Sequence, residues 1–401
     1  MATQQFMKPM IQHYLLFWLP CILILTSRST VFGQIEFSQN FPEISITMTK
    51  KQFNRVQISR GAKIKLNDAI MTINGDSARI KDLHLRGNNT LYFTRKSFSV
   101  TLDKSLDVTI SKQNIKLKKF HLLNLAMDKN LWHNRWSFLI MSQLGIFPPF
   151  NTYCTIKING QSQGIYLLVE KPQHAASAMN SPYIIRRGLD HAIDHEYTDI
   201  DSKEELINYR KQYQSLYQTN KLTDTALYEH ISKALNTEHY FKWVGFNYFI
   251  MNGDYSDELF LYINPTTKVF EVIAWDYDDI FMANPHEGKE VRSKAFTDHM
   301  IFSFEDSFDK TIASDDFVYS KYLHVMKELL SDTDSAQLTT AFQKTQDELV
   351  QLSNNPENCS TTLYLDQIPF DIEDAEYDIQ KSMNYLLSHR TIILKKLENI
   401  H

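Results

Sequence analysis

Two groups of acidic residues lie close together in the segment from Asn247 to Met282, one before and one after a pair of predicted strands. The strands run from about Glu258 to Ile263 and from about Val269 to Trp275, and the turn sequence NPTTK between them predicts an antiparallel hairpin. Because a hairpin brings its two open ends side by side, we expect the acidic groups to meet. The residues concerned are Asp254, Asp257, Glu258, Asp276, Asp278 and Asp279.

That many carboxylates cannot all stay ionised at short range without strongly raised pKa values or a bound cation. A hard divalent metal, Mg²⁺ or Mn²⁺, is the simplest such cation, and we expect this metal to bind a phosphate group in turn. Acidic residues at strand ends are commonly solvated turn residues. Here the apolar run that ends at Trp275 predicts a buried strand, and the alternation in WDYDD places Asp276 and Asp278 on the same side, so a metal site is favoured.

A second group of residues suits phosphate binding. The sequence RGNN, which contains Arg86 and Asn88, ends one predicted strand, and RKSF, which contains Lys96, opens the next. A glycine turn followed by a lysine can direct main-chain N–H groups and an ammonium at a phosphate. Basic residues at a strand edge also protect a sheet against aggregation, so this pattern alone is a weak signal. The sequence contains neither a Walker loop nor a GxGxxG motif.

The remaining elements predict an α+β protein in which strands come first and helices follow. The strand signals are alternating apolar residues and Asn-Gly turns, and the helix signals are capping residues and apolar periodicity. The predicted elements are strands between Ile44 and about Leu102 and from His121 to Leu125, a hairpin around Asn159-Gly160 that ends at Glu170, and helices from Asp128 to Gly145, within Asp199–Asn236, from Asn236 to Asn252 and from Ser382 to Leu397.

The amino terminus predicts export. Residues 1–33 carry Lys8, an apolar core from Tyr14 to Leu25 and small residues before Gln34, as a cleaved signal peptide does. The apolar core is too short for an ordinary membrane span, although an uncleaved anchor stays open. The formal net charge of −5 argues against a nucleic-acid partner. Outside the signal, Cys154 and Cys359 are too few for a zinc site but allow one disulfide.

In this order along the chain, RGNN with RKSF, the NLAMDKNLWHNRW helix, INGQSQGIYLLVEKP, NGD and AWDYD resemble the spore-coat CotH kinase family. The resemblance covers roughly Phe41 to Leu387, and the ordered set is more specific than any single motif. It implies a two-lobed, atypical protein-kinase-like α+β fold in a single domain over residues 34–401. A β-rich lobe would span about 41–172 and a mainly helical lobe about 173–401, with ATP in the cleft between them.

The resemblance also implies an activity. Family members of this kind transfer the γ-phosphate of ATP to serine residues of a partner protein, using Mg²⁺ or Mn²⁺. The expected partner is another exported protein, and the expected location is secreted, periplasmic or at the cell surface, without a stable membrane span after signal cleavage. Carried over position by position, the residues are Asp254, Asp276 and Lys96 as catalytic, Arg86, Asn88, Lys96 and Glu170 as nucleotide-binding, and Asp254, Asp276 and Asp278 as metal-binding.

Two alternatives remain open. The sequence departs from the family pattern at His133, where an arginine is usual, at Glu258-Leu259, where Asn-Tyr is usual, and at Met282, where glycine is common. These departures favour a catalytically inert surface or secreted binding protein, an adhesin or scaffold. A two-metal phosphoesterase also fits the acidic residues, but such an enzyme would not need Lys96 or the β-rich segment.

Overall fold

The computed structural model describes residues 41–399 except 60–61, 67, 88, 111, 189–190, 199, 220, 289–297 and 360–369. The predicted signal peptide and Asn88 therefore lie outside the described residues. Ser38–His401 form one compact unit. Among the described helices, none has both the length and the hydrophobicity needed to cross a bilayer.

Seven strands form a closed barrel in the first half of the chain. Neighbouring strands are antiparallel except for the first and the sixth, which pair in parallel and close the barrel. Its interior is filled by alternate, mainly aliphatic side chains. In the order β1-β2-β3-β4-β5-β7-β6, the strands are β1 (Glu43–Thr47), β2 (Ile70–Ile73), β3 (Asp76–Leu85), β4 (Phe98–Ile110), β5 (Gln113–Leu123), β7 (Gln161–Glu170) and β6 (Asn151–Ile158).

A four-stranded antiparallel sheet follows in the order β11-β10-β8-β9. Its strands are β8 (Tyr183–Arg187), β9 (Ile193–Thr198), β10 (Leu259–Ile263) and β11 (Phe270–Ala274). The predicted hairpin is confirmed: β10 pairs with β11 from Leu259 opposite Ala274 to Ile263 opposite Phe270. In the turn, Asn264 Oδ1 accepts hydrogen bonds from the main-chain N–H groups of Thr266 and Thr267, which fixes the tight connection.

The helices lie mainly in the second half of the chain, as predicted. Ser202 and Asn236 cap their helices by accepting from the main-chain N–H three residues on. The Asn236 cap confirms the predicted start of its helix. The helices are α1 (Lys50–Gln57), α2 (His133–Gln143), α3 (Pro172–Ala178), α4 (Lys203–Ser215), α5 (Asp224–Ala234), α6 (Thr237–Ile250), α7 (Ser307–Ser314), α8 (Asp316–Asp332), α9 (Ser335–Ser353), α10 (Pro356–Cys359) and α11 (Ile372–Glu398), with one 3₁₀ turn at Asn89–Tyr92.

The predicted α+β class is thus confirmed as a mixed fold of helices and strands, and closure of the strands into a barrel was not predicted. The barrel interior and the helical part each have their own cluster of buried apolar side chains. The two-lobed, kinase-like arrangement and the boundary near residue 172 stay predictions. Cys154 is buried in the barrel and Cys359 is half-buried, and both are free thiols, so no disulfide joins them.

A buried ion pair fixes helix α2, which borders the acidic hairpin. The Arg135 guanidinium donates to both carboxylate oxygens of Glu348 on α9, each at 2.7 Å. Both side chains are almost fully buried. Beside this pair, the rings of Trp136 and Phe342 stack with their centroids 4.6 Å apart. Arg135 therefore serves as a structural contact between helices and is not available to a ligand.

Replacing Arg135 by Met should lower the free energy of unfolding by about 3–5 kcal/mol, because Glu348 then remains as a buried, unpaired charge. Urea denaturation measures this loss. The double variant Arg135→Met/Glu348→Leu should recover most of it. As a control, Glu238→Gln removes an exposed pair with Lys242 and should cost less than about 1 kcal/mol. A loss below about 1 kcal/mol for Arg135→Met would contradict the structural role of this buried ion pair.

Candidate functional site

The hairpin brings the two acidic groups together, as predicted. The main-chain N–H of Trp275 donates to the carbonyl of Glu258 at 3.0 Å, so the strands stay joined up to the acidic residues. Beyond them, the N–H of Gly253 donates to the carbonyl of Asp279 at 2.9 Å and ties the loop before β10 to the loop after β11. Between these two links, Asp276 has a φ of 54°, a left-handed conformation that is uncommon outside glycine and concentrates at functional sites.

One set of side chains could hold a metal ion. Asp254, Asp279 and His286 each offer one ligand atom, and these atoms lie within 4.8 Å of one another. His286 lies between the two carboxylates, with Nδ1 3.1 Å from Asp254 Oδ1 and Nε2 3.0 Å from Asp279 Oδ2. Two carboxylates and one imidazole form a donor set that suits Mn²⁺ and other transition metals better than it suits Mg²⁺, which prefers oxygen.

Asp276 and Asp278, also predicted as metal ligands, face a different space. They line a small pocket of about 50 Å³ between the barrel and the hairpin. Its other walls come from the loop after β3, from the segment after β5 and from Asn134 on α2, whose side-chain oxygen accepts from the Tyr277 N–H at 2.9 Å. Lys96 is not among the described residues that line this pocket.

Arginines compensate part of the negative charge. Arg186 on β8 donates through Nη2 to both oxygens of Glu258, at 3.0 and 3.1 Å. Arg86, which follows β3, lies over the Trp275 ring at 5.2 Å from the ring centroid. Burial lowers the pKa of Arg86, and Asp276 and Glu258 raise it. The acidic site is therefore enclosed by cationic side chains from both sheets.

The carboxylates nonetheless remain difficult to ionise together. Burial raises the pKa of Asp278 well above its ordinary value, and Asp276 and Asp279 raise it further. Burial and Asp276 likewise raise the pKa of Glu258, against the effect of Arg186. For Asp254, burial raises the pKa and His286 opposes the shift. Raised pKa values in a group of neighbouring acids are typical of sites that bind a cation or transfer a proton.

The departures from the family pattern have specific contacts. His133 at the start of α2 lies with Nδ1 3.0 Å from the carbonyl oxygen of Asp278, so it borders the acidic loop. Glu258 pairs with Arg186, as described above. Met282 lies close to Gly253, where an added Cβ would come within 3.1 Å of its side chain. All three therefore touch the loops that carry the acidic residues.

Two of the predicted nucleotide-binding residues are not among the described residues that line the pocket. The Lys96 ammonium donates to the carbonyl of Leu91 at 2.5 Å, and burial alone lowers its pKa, without a contribution from an acidic residue. The Glu170 carboxylate lies 2.6 Å from His174 Nδ1 on α3. Arg86 is the predicted nucleotide-binding residue that the described structure places beside Asp276 and Asp278.

The sequence predictions did not include three residues of this site. Asp279 was placed among the acids but not among the metal ligands, and His286 was not named. Its position within ten residues of a run of acids is the signal that could have identified it. Arg186 lies on β8, far from the hairpin in sequence, and no local pattern identifies its pairing with Glu258.

Comparison with known proteins gives a family match over most of the described chain. The family model described as "CotH kinase protein" matches residues 83–384. This range contains the pocket walls, the hairpin, all six acidic residues of the hairpin ends and His286.

Two individual proteins are similar to the chain. Inner spore coat protein H of Bacillus subtilis (strain 168) is 23% identical over 234 residues, which cover 52% of this chain and 61% of that protein. The chain thus matches less than two thirds of the length of this relative. The crystal structure of the Helicobacter pylori proinflammatory kinase CtkA aligns with 74% of this chain and 96% of its own, at 11% identity and a TM-score of 0.29. A TM-score this low does not establish a shared fold.

Asp128 gives the site a pH-dependent stability. Its carboxylate is fully buried beside α2 and accepts from the N–H groups of Trp132 and Asn134. Burial raises the pKa of Asp128 to about 6, and His133 opposes the shift. When the pKa of a carboxyl group is higher in the folded than in the unfolded chain, the protonated group makes the fold more stable at low pH. This contribution is lost as the group ionises with rising pH.

We therefore expect the free energy of unfolding of the wild type to fall by up to about 3 kcal/mol between pH 4 and pH 7, when measured as the difference from Asp128→Asn. The amide stays neutral across this range, so the difference isolates the Asp128 proton. Urea denaturation at four pH values measures it. The exposed Asp103→Asn should show no such slope, and a difference for Asp128→Asn that is constant with pH would contradict the prediction.

Proposed function

Because the chain belongs to the CotH kinase protein family, we propose that it transfers the γ-phosphate of ATP to serine residues of a partner protein, with Mn²⁺ or Mg²⁺ as cofactor. The observation that carries this proposal is the meeting of acidic and cationic residues at one pocket. Asp276 and Asp278 line it from the hairpin side, and Arg86 lines it from the barrel side. Phosphoryl transfer depends on positioning and on neutralising charge, and this arrangement supplies the groups for both.

The metal would be held by Asp254, with Asp279 and His286 completing the donor set that the described residues gather. A bound divalent ion supplies positive charge to the phosphate oxygens during transfer. Asp276 and Asp278 stay predicted ligands as well, because each lies one short loop away from this set. The donor chemistry fits a divalent ion, since the ligand atoms are carboxylate oxygens and one imidazole nitrogen.

The protein's own side chains have separate tasks in this proposal. Asp276 lies on the pocket side with a raised pKa, because burial raises it while Arg86 and Arg186 oppose the shift. A carboxylate of this kind can accept the proton of a serine hydroxyl as the oxygen attacks phosphorus. Arg86 would bind phosphate oxygens. Pockets for small ligands usually measure roughly 300–1,000 Å³, so the cleft at about 50 Å³ would have to widen to admit a nucleotide.

The proposed setting is outside the cytoplasm, with another exported protein as the phosphate acceptor. The predicted signal peptide in residues 1–33 supports export. The Bacillus subtilis relative is a spore coat protein, which supports an outer location. A second candidate function, an inert binding protein, is favoured by two observations: Arg186 already compensates Glu258, and His286 already lies between two carboxylates.

Purified protein from Gln34 onward, incubated with γ-³²P-ATP, Mn²⁺ or Mg²⁺ and a serine-rich acceptor, should produce labelled protein. Asp276→Asn should reduce the label about 100-fold or more, because it removes the proposed proton acceptor. Asp332→Asn, an exposed acid at the end of α8, should leave it unchanged. Absence of metal-dependent label would favour the inert binding protein, and released phosphate without labelled protein would favour a phosphoesterase.

His286→Ala should weaken Mn²⁺ binding by at least about tenfold, the loss seen when even an indirect metal partner is removed. Mg²⁺ binding should change less, because Mg²⁺ gains little from an imidazole ligand. Isothermal titration measures both affinities, and electron spin-echo spectroscopy of bound Mn²⁺ should detect a ¹⁴N coupling that His286→Ala removes. His324→Ala, an exposed histidine on α8, is the matched control. Mn²⁺ that binds without any nitrogen coupling would exclude His286 as a ligand.

A further inference from the structure

A tight turn carries His286 to the loop before β10. Residues 285–288 form the turn, in which the Gly288 N–H donates to the Pro285 carbonyl at 2.9 Å. Gly288 has a φ of 86°, a conformation that glycine adopts without strain. The His286 N–H donates to the Gly253 carbonyl at 3.0 Å, which places the turn beside that loop. His286 and Glu287 are the central residues of the turn, and their side chains make different contacts.

The His286 imidazole depends on the turn for its position. The side chain is 40% exposed, and its two ring nitrogens lie beside the carboxylate oxygens of Asp254 and Asp279. These oxygens are the same ones that a bound ion would take as ligands. The contacts between imidazole and carboxylates therefore cannot fix the ring once an ion is bound. The orientation of a metal-ligating side chain must then come from groups that support it from behind.

Glu287 supplies such a support. Its carboxylate accepts one hydrogen bond at each oxygen, from Ser303 Oγ at 2.8 Å and from the Phe304 N–H at 2.6 Å. Ser303 and Phe304 are buried, and they lie just before α7. Hydrogen bonds to an ionised carboxylate are stronger than those between neutral groups. Without Glu287, two donors would lose their acceptor, which is costly where they are buried.

Ser303 also contacts the loop that carries Asp254. The Tyr255 hydroxyl donates to the Ser303 carbonyl at 3.0 Å, and Ser256 Oγ lies 3.2 Å from Ser303 Oγ. A serine hydroxyl has one proton, and Ser303 gives its proton to Glu287, so Ser256 is the donor in this second contact. Tyr255 and Ser256 directly follow Asp254 in the chain. Ser303 therefore joins the histidine turn to the loop that holds the first carboxylate of the metal set.

Glu287 is not itself placed as a ligand. Among the described residues, the side chains gathered for an ion are Asp254, Asp279 and His286. Both Glu287 oxygens accept from the segment before α7 instead. Any effect of Glu287 on an ion at this set therefore has to pass through the position of the neighbouring histidine.

We propose that Glu287 is a positioning residue, which holds His286 in place for a divalent metal through its hydrogen bonds with Ser303 and Phe304. The inference rests on the proposed function, because that function brings the metal, and it adds a residue that acts on the ion without touching it. A ligand that is held in place before the ion arrives loses less conformational freedom on binding, so this support raises the affinity.

The test compares Glu287→Ala with the wild type by isothermal titration with Mn²⁺ and with Mg²⁺, and by electron spin-echo spectroscopy of bound Mn²⁺. Mn²⁺ affinity should fall by about tenfold or more, as when other supporting partners of metal ligands are removed. The ¹⁴N coupling should weaken or disappear although His286 is still present. Mg²⁺ affinity should change less, because Mg²⁺ gains little from imidazole.

Two milder variants keep the test valid if Glu287→Ala does not fold. Glu287→Gln retains one acceptor oxygen, so it should keep part of the Mn²⁺ affinity and of the ¹⁴N coupling. Ser303→Ala removes one donor from the opposite side and should cause a smaller loss of the same kind. A residue that serves only the overall fold would lower the melting temperature in these variants and leave the ¹⁴N coupling of bound Mn²⁺ unchanged.

Glu305→Ala is the matched control for charge. Burial raises the pKa of Glu305, and Glu287, Asp257 and Asp254 raise it further, so this carboxylate lies among the same acids. Its removal should change Mn²⁺ affinity by less than about threefold and leave the ¹⁴N coupling intact, because a partly exposed charge is screened by water. A loss equal to that of Glu287→Ala would assign the effect to negative charge alone and overturn the inference.

Hydrogen exchange gives an independent readout. If the Glu287 contacts favour metal binding, bound metal must stabilise these contacts in return, because coupling between two binding events is reciprocal. Mn²⁺ should therefore slow exchange of the Phe304 amide in the wild type, and this effect should be absent in Glu287→Ala. Equal exchange of this amide with and without Mn²⁺ in the wild type would contradict the coupling.

The outcomes separate this inference from the proposed function. Wild-type protein with a ¹⁴N coupling, together with unchanged affinity and coupling in Glu287→Ala, would overturn the role of Glu287 and leave the phosphotransferase proposal standing. Wild-type protein without a ¹⁴N coupling would overturn this inference together with His286 as a ligand. Transfer of label from γ-³²P-ATP would then decide the proposed function separately.

Discussion

Repulsion among carboxylates at the open end of the β10–β11 hairpin is the constraint on which the site depends. Six acids meet there because the strands are paired up to Glu258 and Trp275. The fold offsets their charge with groups from three separate places: Arg86 after β3, Arg186 on β8 and His286 after the hairpin. Burial raises the pKa of Asp278, and the neighbouring carboxylates of Asp276 and Asp279 raise it further. An additional cation is therefore favoured electrostatically at this end of the hairpin.

Trp275 couples the barrel to this acidic end. Its ring is nearly fully buried and contacts the Arg86 guanidinium, the His121 ring and the Phe138 ring on α2. Because it is the residue directly before Asp276, the orientation of that carboxylate depends on how the indole is packed. The same ring supports the Arg86 guanidinium, which lines the pocket together with Asp276 and Asp278.

Sequence predicted the local features well and the faces of the strands poorly. The hairpin, the helix caps and the order of strands and helices follow from turn and capping residues, which act over a few positions. Barrel closure depends on the parallel pairing of β1 with β6, which are far apart in the chain, and no local pattern encodes it. Which residues of a strand face the pocket depends on register, and a shift of one position reverses the face. Ser97 lines the pocket, whereas the motif residue Lys96, one position before it, does not.

The same limit explains the metal ligands. Sequence places Asp254, Asp276 and Asp278 near one another, but Asp276 and Asp278 line the pocket, and the set of side chains that could hold a metal contains Asp254 without them. The main-chain bond from Gly253 to Asp279 then brings Asp279, and with it His286, to Asp254. A divalent ion bound as proposed would share the carboxylates of Asp254 and Asp279 with the His286 side chain. In the proposed reaction, this ion would take over the charge compensation that His286 provides to the two carboxylates.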